Sequence, residues 1–354
     1  MKSTSIWRKN DLRLPIIIIT IFFATTPFSW AMGLLSRSAM QPKMKASLLG
    51  LKLFLSAALV MYLFTMLDWE RVRFVVPRLN YGYVWAPFFL LLLSVWVASI
   101  RWTALLIHFN SRQSVFESYR YYMISMFYGI LLPGVLGGDA IRIALSIKKH
   151  CANRFQLAAT VLLERTIGFF AILAIAAVTA SLIPSLLQGT PAIVPFIYAL
   201  PFTIVISLVF LRLNPPKCIE RTRNNGHIVH SILDLFSFFR GLPLELLLLV
   251  LSLSIVSNVF DILGSFFLAS ALNMEQPLSL FLLIMPIVYV LTSLPISLGG
   301  LGVREGVLTY FLVKSGALAS DAVLLSFLLY MNRILVSLLG GLAQFLDSRG
   351  SQSK

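Results

Sequence analysis

Residues 132–142 read LPGVLGGDAIR and residues 294–304 read LPISLGGLGVR, so Leu-Pro, Leu-Gly-Gly and a final Arg recur in one register, 162 positions apart. Each copy interrupts an apolar stretch of the chain. Pro and Gly weaken a helix, and at membrane depth such breaks persist only where the backbone is buried in protein or lines a cavity. Paired breaks in two halves of a membrane protein are typical of a transporter's binding site. The repeat therefore predicts two re-entrant or broken-helix hairpins.

The composition indicates a chain that lies in a bilayer. Of its 354 residues, 58% are hydrophobic and 12% are charged, whereas soluble domains carry roughly 25% charged residues. The net charge of +15 falls mostly in loops between apolar segments, where Lys and Arg orient the protein and contact anionic lipid. We therefore expect no nucleic-acid partner. The two cysteines, Cys151 and Cys218, lie in basic loops and indicate neither a disulfide nor a metal site.

The apolar segments predict the helices. A bilayer-spanning helix needs about twenty apolar residues, and eight segments reach or approach that length: Leu48–Leu67, Val84–Ile107, Tyr119–Leu132, Leu157–Leu182, Pro191–Leu211, Leu244–Leu272, Leu278–Leu294 and Val323–Leu346. Gly134–Ile147 and Ile296–Val313 follow the two motifs as second half-segments. The predicted fold is an all-α integral membrane protein of about eight transmembrane or half-spanning segments. Its membrane domain is expected over residues 44–347, followed by a cytoplasmic tail at 348–354.

The distribution of charge predicts an inverted repeat. Basic loops follow the first motif and fill residues 212–240, whereas Ile183–Thr190 carries no charge. The positive-inside rule places the basic loops in the cytoplasm and the uncharged one outside. Three crossings then separate the motifs, so the second must enter from the opposite face. Beyond the motifs the repeat is weak, since Glu164-Arg165 aligns with Asn332-Arg333 only after about six inserted residues.

The first 43 residues fit this scheme poorly. Leu14–Leu35 is apolar, but positive residues flank it equally on both sides, so its orientation is undetermined. Residues 1–43 are expected to be an N-terminal extension. They could also arise from a start codon placed too early, since Met44 followed by Lys45 would be an ordinary beginning.

Charged residues within the apolar segments are the candidate site residues. One at mid-bilayer costs roughly 2.5–3.5 kcal/mol on insertion scales, so it usually faces a cavity or a partner. Nine positions qualify: Arg101, Asp139, Arg142, Glu164, Arg165, Asp261, Arg304, Glu305 and Arg333.

The two motif arginines are the predicted substrate contacts. Arg142 and Arg304 are expected to bind a headgroup phosphate, with Asp139 and Glu305 setting the local charge. The backbone N–H groups of two half-helix N-termini would contribute to this anion site. Four glycines would admit the headgroup there: Gly137, Gly138, Gly299 and Gly300. The alternative is that Asp139 pairs with Arg142, and Glu305 with Arg304, merely to fasten the hairpins.

The remaining charges are expected to be mainly structural or to couple transport to ions. Glu164 and Arg165 are neighbours that point about 100° apart on a helix, so at least one must reach another helix. Arg333 is a candidate partner for Glu164. Arg101 is expected to anchor its helix by reaching lipid phosphates.

An enzyme remains the main alternative class. The chain has no Walker loop, no paired-His metal spacing, no Gly-x-Ser-x-Gly and no Cys-x-x-Cys. We therefore expect no catalytic residues and no cofactor. The pair Asp68-x-Glu70 is similar to the acidic metal-binding pair of membrane glycosyltransferases that use lipid-linked sugars. Such an enzyme, or an accessory or scaffold subunit for lipid-synthesis enzymes, stays open beside a transporter.

At these residues the chain resembles the lysylphosphatidylglycerol synthase transmembrane-region family of flippase-like membrane proteins. The matching elements are Ser99-Ile100-Arg101-Trp102, the motif from Leu132 through Arg142, Glu164-Arg165 with Gly168, and the motif from Leu298 through Gly306. The resemblance covers roughly Leu48 to Leu346 and is to the stand-alone branch, without an aminoacyl transferase domain. It implies a helical bundle in the bacterial inner membrane that moves a lipid between leaflets, with anionic headgroups as partners. The lipid, the direction, the energy source and the oligomeric state are left open.

Overall fold

A computed structural model describes residues 80–131 except 110 and 112, then 137–150, 154–184, 241–293 and 302–350, with a few isolated positions before residue 80 and at 198. Its regular structure over these ranges consists of eight helices, α1 Tyr81–His108, α2 Val115–Leu131, α3 Gly137–His150, α4 Arg154–Leu182, α5 Leu244–Ala271, α6 Leu278–Ser293, α7 Val303–Lys314 and α8 Ala319–Gly350. Helices α1, α4, α5 and α8 are long and apolar enough to span a bilayer. The protein is an all-α membrane protein, as predicted.

The helices coincide with the apolar segments of the sequence and break at both motifs. Helix α2 ends at Leu131 and α3 begins at Gly137, whereas α6 ends at Ser293 and α7 begins at Val303. The predicted spans Leu48–Leu67 and Pro191–Leu211, with the Leu14–Leu35 segment, lie outside the described residues. The two short half-segments that were expected after the motifs are α3 and α7.

The described helices form two units of four that have the same order. In α1–α4 the helices have 28, 17, 14 and 29 residues, and in α5–α8 they have 28, 16, 12 and 32. The packing is also paired: α4 packs on α6 as α8 packs on α2, and α4 packs on α5 as α8 packs on α1. Helices α1 and α5 pack on each other most extensively. This arrangement is a pseudo-two-fold one, with α1 and α5 at its centre.

The direction of α1 against α5 shows that the repeat is inverted. The Tyr83 ring, near the start of α1, stacks on Phe267, near the end of α5. Further along α1, the Arg101 Nη1 donates a hydrogen bond to Ser254 Oγ, 2.9 Å away and earlier in α5. The two helices are therefore antiparallel. Since both are long enough to span the membrane, the two units enter it in opposite directions, which confirms the predicted inverted repeat.

Small residues allow the two units to interlock where α8 crosses α2. A Cβ on Gly340 would overlap the backbone oxygen of Met123, and one on Gly341 would lie 2.8 Å from the Phe127 ring. The equivalent crossing of α4 with α6 also uses a small side chain, Ala176. Close helix contact through small residues is the usual source of packing energy inside a bilayer, where burial of apolar surface from water contributes little.

Candidate functional site

Five charged residues of the first unit gather into one ion-pair network, here called the first charge cluster: Arg101, Asp139, Arg142, Glu164 and Arg165. The Arg142 guanidinium donates to Glu164 Oε2 at 2.9 Å and to Asp139 Oδ1 at 3.1 Å. The second oxygen of Asp139 forms an ion pair with Arg165. The expected Asp139–Arg142 pair is therefore present, and Arg165 joins α4 to α3 through the same carboxylate.

The prediction that Arg333 pairs with Glu164 is wrong, because Glu164 lies at the centre of the first charge cluster. Its Oε1 accepts hydrogen bonds from Arg101 Nη2 at 2.6 Å and from the Tyr122 hydroxyl. Arg101 also contacts Ser254 on α5, so the expectation that it anchors α1 to lipid phosphates is wrong as well. The reason is that α1 passes beside α4, where a buried carboxylate must be neutralised by a nearby cation. Helix proximity of this kind is not visible in a local sequence pattern.

Arg142 is enclosed on its flat faces as well as at its edges. Its guanidinium carbon lies 4.5 Å from the centre of the Trp102 ring and 4.1 Å from that of Tyr122. Its side chain is 2% exposed. A headgroup has no access to Arg142 in this conformation, so the geometry supports the alternative in which Arg142 fastens the hairpin. A contact with lipid phosphate in another conformation stays a prediction.

The N-termini of the two short helices carry their own acids. Glu305 Oε2 accepts a hydrogen bond from the Gly302 N–H at 2.6 Å, and Gly302 has a φ of 82°, a conformation that favours glycine. Helix α3 begins at Gly137 and has Asp139 in its first turn. These carboxylates face the partial positive charge that an incoming anion would use. Glu305 therefore acts here as a helix cap, and it shows no pair with Arg304.

Gly138, in the first turn of α3, serves helix packing. A Cβ on Gly138 would lie 2.5 Å from the backbone oxygen of Ser125 on α2. Gly138 thus allows α3 to pack closely on α2, and the idea that it opens a path for a headgroup has no support in this geometry. Gly299 and Gly300 lie outside the described residues.

A cavity between the second unit and α1, to which Pro87 and Leu91 contribute, brings together a different set of charges. We call this set the second charge cluster: Asp261 on α5, Arg304 on α7 and Arg333 on α8. Tyr289 on α6 also lines this cavity, whose volume is about 90 Å³, room for several water molecules. Arg304 is 8% exposed, whereas Arg333 is exposed. Arg304 is therefore enclosed by the fold, whereas Arg333 is accessible from outside it.

The described charged side chains that line this cavity form no ion pairs with one another, unlike those of the first charge cluster. Within the described part of the chain, neither Arg304 nor Arg333 forms a salt bridge with a carboxylate. Asp261 Oδ1 is inaccessible to solvent and has no hydrogen-bond partner there. A cavity with two such guanidinium groups is chemically suited to bind an oxyanion.

Sequence reasoning identified three of these residues but did not bring them together. Asp261 was recognised only as a charge in an apolar helix, and Arg333 was assigned to Glu164. Tyr289 gave no signal, since a tyrosine in an apolar segment is unremarkable. The register of the repeat could have helped, because Asp261 lies 160 positions after Arg101, close to the 162 that separate the motif arginines. Among the described residues, no group of three His, Cys, Asp or Glu side chains is placed to hold a metal.

A known family model matches most of the chain. The family model described as the lysylphosphatidylglycerol synthase TM region matches residues 49–341. The chain belongs to this family. The residues of both charge clusters lie within the range that matches the lysylphosphatidylglycerol synthase TM region, and all eight described helices begin in it. The Leu14–Leu35 segment lies outside this range. No curated protein matches the chain. Membership indicates a membrane protein involved in lipid handling.

Proposed function

We propose that this protein is a flippase-like transporter that moves an anionic phospholipid between the leaflets of the bacterial inner membrane. The observation that carries the proposal is the cavity in which Arg304 and Arg333 lie without a salt-bridged carboxylate among the described residues. An arginine at membrane depth is costly unless it faces a partner or a water-filled cavity. A headgroup phosphate is the partner that a lipid environment supplies, and a guanidinium can bind it with two parallel hydrogen bonds.

The predicted pair Arg142 and Arg304 is revised in this proposal. Arg304 keeps its role and Arg333 replaces Arg142 as the second phosphate ligand, because Arg142 is already bound by Glu164 and Asp139. The first charge cluster then holds α1, α3 and α4 together while the second receives the headgroup. Inverted repeats allow a site to be reached alternately from the two faces, and this is the basis we propose for movement between leaflets.

Transport in this proposal is passive or coupled to an ion gradient, and the protein carries out no chemical reaction. Enzymes of lipid synthesis would supply the lipid, as partners in metabolism or as physical neighbours. The enzyme alternative depended on Asp68 and Glu70, of which Asp68 lies outside the described residues. Replacing both by Ala should leave leaflet exchange unchanged, whereas a glycosyltransferase would lose its activity.

The test is leaflet exchange of a fluorescent phosphatidylglycerol in liposomes that contain the purified full-length protein. The variant Arg304→Ala/Arg333→Ala should lower the initial exchange rate by more than about tenfold, because both guanidinium contacts to the phosphate are lost. Lys314→Ala is the matched control, since Lys314 is an exposed cation on the same helix as Arg304. It should exchange at the wild-type rate.

The outcomes separate the parts of the proposal. Equal rates in the double variant and the wild type would discard the site but keep lipid movement. No exchange by the wild type, with phosphatidylglycerol, phosphatidylethanolamine or a polyprenyl phosphate and with or without a proton gradient, would overturn the transporter itself.

A further inference from the structure

We infer that the cavity of the second charge cluster selects a phospholipid headgroup with a single negative charge, and that Asp261 sets this limit. The inference rests on the proposed function and names the class of lipid: phosphodiesters, as distinct from phosphomonoesters and pyrophosphates. It assigns to Asp261 a role in specificity that neither the motifs nor the family match contains.

The charged side chains around the cavity do not cancel one another. Arg304 and Arg333 contribute two positive charges and Asp261 one negative charge, while the other described side chains that line the cavity are uncharged. These described side chains therefore give the cavity one excess positive charge. One phosphodiester would neutralise it, and a dianion would leave one negative charge uncompensated within the membrane.

The carboxylate of Asp261 lies where it can act on a bound phosphate. Its Oδ1 is inaccessible to solvent and without a hydrogen-bond partner among the described residues, although the residue as a whole is only partly buried. Asp261 lines the same cavity as Arg304 and Arg333. It therefore lies in the same field as a bound phosphate and must repel a second negative charge.

The energetic cost of Asp261 points to a functional role for this carboxylate. An acid at membrane depth costs free energy, so its presence beside a cavity indicates a role outside stability. With Asp261 in place, two arginines bind one phosphate without holding it too tightly to be released. Without it, the site would have two excess positive charges and would retain dianionic lipids.

The experiment compares two fluorescent lipids with identical chains in the same liposomes at pH 8: phosphatidylglycerol, a diester, and phosphatidic acid, a monoester that carries nearly two charges at this pH. The wild type should exchange phosphatidylglycerol faster. Asp261→Asn should shift the ratio of the two rates toward phosphatidic acid by about tenfold, since one repulsive charge has been removed. Asp261→Glu should keep the wild-type ratio. Glu245→Gln is the matched control, because Glu245 is an exposed acid on the same helix.

A binding measurement in detergent covers the case in which Asp261→Asn no longer exchanges lipid. Competition between the two lipids for the full-length protein should then show phosphatidic acid bound about tenfold more tightly relative to phosphatidylglycerol than in the wild type. Damage to the fold would weaken the binding of both lipids, so tighter binding of one distinguishes specificity from structure. Inorganic phosphate and glycerophosphoglycerol are included as soluble competitors, and displacement by either at the lipid's own concentration would overturn the choice of a lipid as ligand.

The inference and the proposed function fail in different ways. An unchanged ratio of the two lipids in a folded Asp261→Asn protein, by exchange and by binding, would overturn the role of Asp261 and leave the transporter intact. The loss of all exchange in the wild type would overturn the transporter, while the binding ratio would still decide the charge limit of the cavity.

Discussion

The hydroxyl oxygens of Ser94 and Ser257 lie 3.0 Å apart where α1 crosses α5, and the two residues are 163 positions apart in the chain. This separation is almost that of Arg142 and Arg304, the arginines that end the two motifs. The contact therefore lies close to the pseudo-two-fold axis of the repeat. One charge cluster belongs to each unit: the cluster of the first is closed by ion pairs, and that of the second lines a cavity.

The inverted repeat makes a direct prediction about membrane sidedness. Lys149 near the end of α3 and Lys314 at the end of α7 occupy equivalent places in the two units, and both are exposed. Because the units enter the membrane in opposite directions, the two positions should lie on opposite sides. In a chain with Ser at both native cysteines, Lys149→Cys and Lys314→Cys should each react with an impermeant maleimide from one side only.

The labelling also tests the orientation inferred from charge. Lys149→Cys is expected to react from the cytoplasmic side, in inverted vesicles, and Lys314→Cys from the outside, in intact cells. Labelling of both variants from the same side would contradict the inverted repeat. Opposite sides in the reverse sense would keep the repeat and reject the positive-inside assignment.

The sequence was sufficient for the helices because the bilayer imposes length and apolarity on each span. The breaks at Leu131 and Ser293 were visible as Pro and Gly, and the inverted order followed from charge in the loops. The ion-pair partners of the charged side chains were not visible in the sequence. Glu164 was assigned to Arg333, yet its partner Arg101 lies 63 positions away on a helix whose packing against α4 has no local signal.

The two motif arginines also show that side-chain partners could not be predicted from the sequence. Arg142 and Arg304 are equivalent in sequence, but the first is bound between Trp102 and Tyr122 and the second lines a cavity. The difference arises from two acids: Asp139, whose counterpart in the second motif is Leu301, and Glu164, which lies outside the motifs. The repeat predicts where such sites lie, and the surrounding helices determine which one is open.

Glu164 should be essential for stability. Glu164→Gln leaves Arg101 and Arg142 without their shared counter-charge in a buried site, and removing one partner of a buried pair costs about 3–5 kcal/mol. The loss should appear as a large drop in the melting temperature of the protein in detergent, followed by size-exclusion chromatography. Glu117→Gln is the control. It removes the ion pair with Lys149, whose side chain is 54% exposed, and such surface pairs contribute about 0–1 kcal/mol. Equal losses in the two variants would contradict the central role of Glu164.

Glu305 should contribute to stability as a cap and should leave lipid selectivity unchanged. Glu305→Ala removes the acceptor for the Gly302 N–H at the start of α7, and a lost cap costs about 0.5–2 kcal/mol. Glu305→Gln retains an acceptor oxygen and should recover most of this loss. The ratio of phosphatidylglycerol to phosphatidic acid exchange should stay at the wild-type value in both variants. A shift of that ratio comparable to the one expected for Asp261→Asn would show that Glu305 faces the headgroup.

Gly340 should tolerate no side chain. In Gly340→Ala the new methyl group would overlap the backbone of Met123, which cannot move like the end of a flexible side chain, so α8 must separate from α2. Overpacking usually costs about 1–3 kcal/mol, and a backbone clash at a close helix crossing should fall at the upper end of that range or above it. We expect a low yield of monodisperse protein and a reduced melting temperature. Gly306→Ala is the matched control on α7, where a Cβ meets nothing within 4 Å and Ala is the better helix former. A Gly340→Ala protein as stable as the Gly306→Ala protein would contradict the close packing of α2 on α8, and with it the interlocking of the two units.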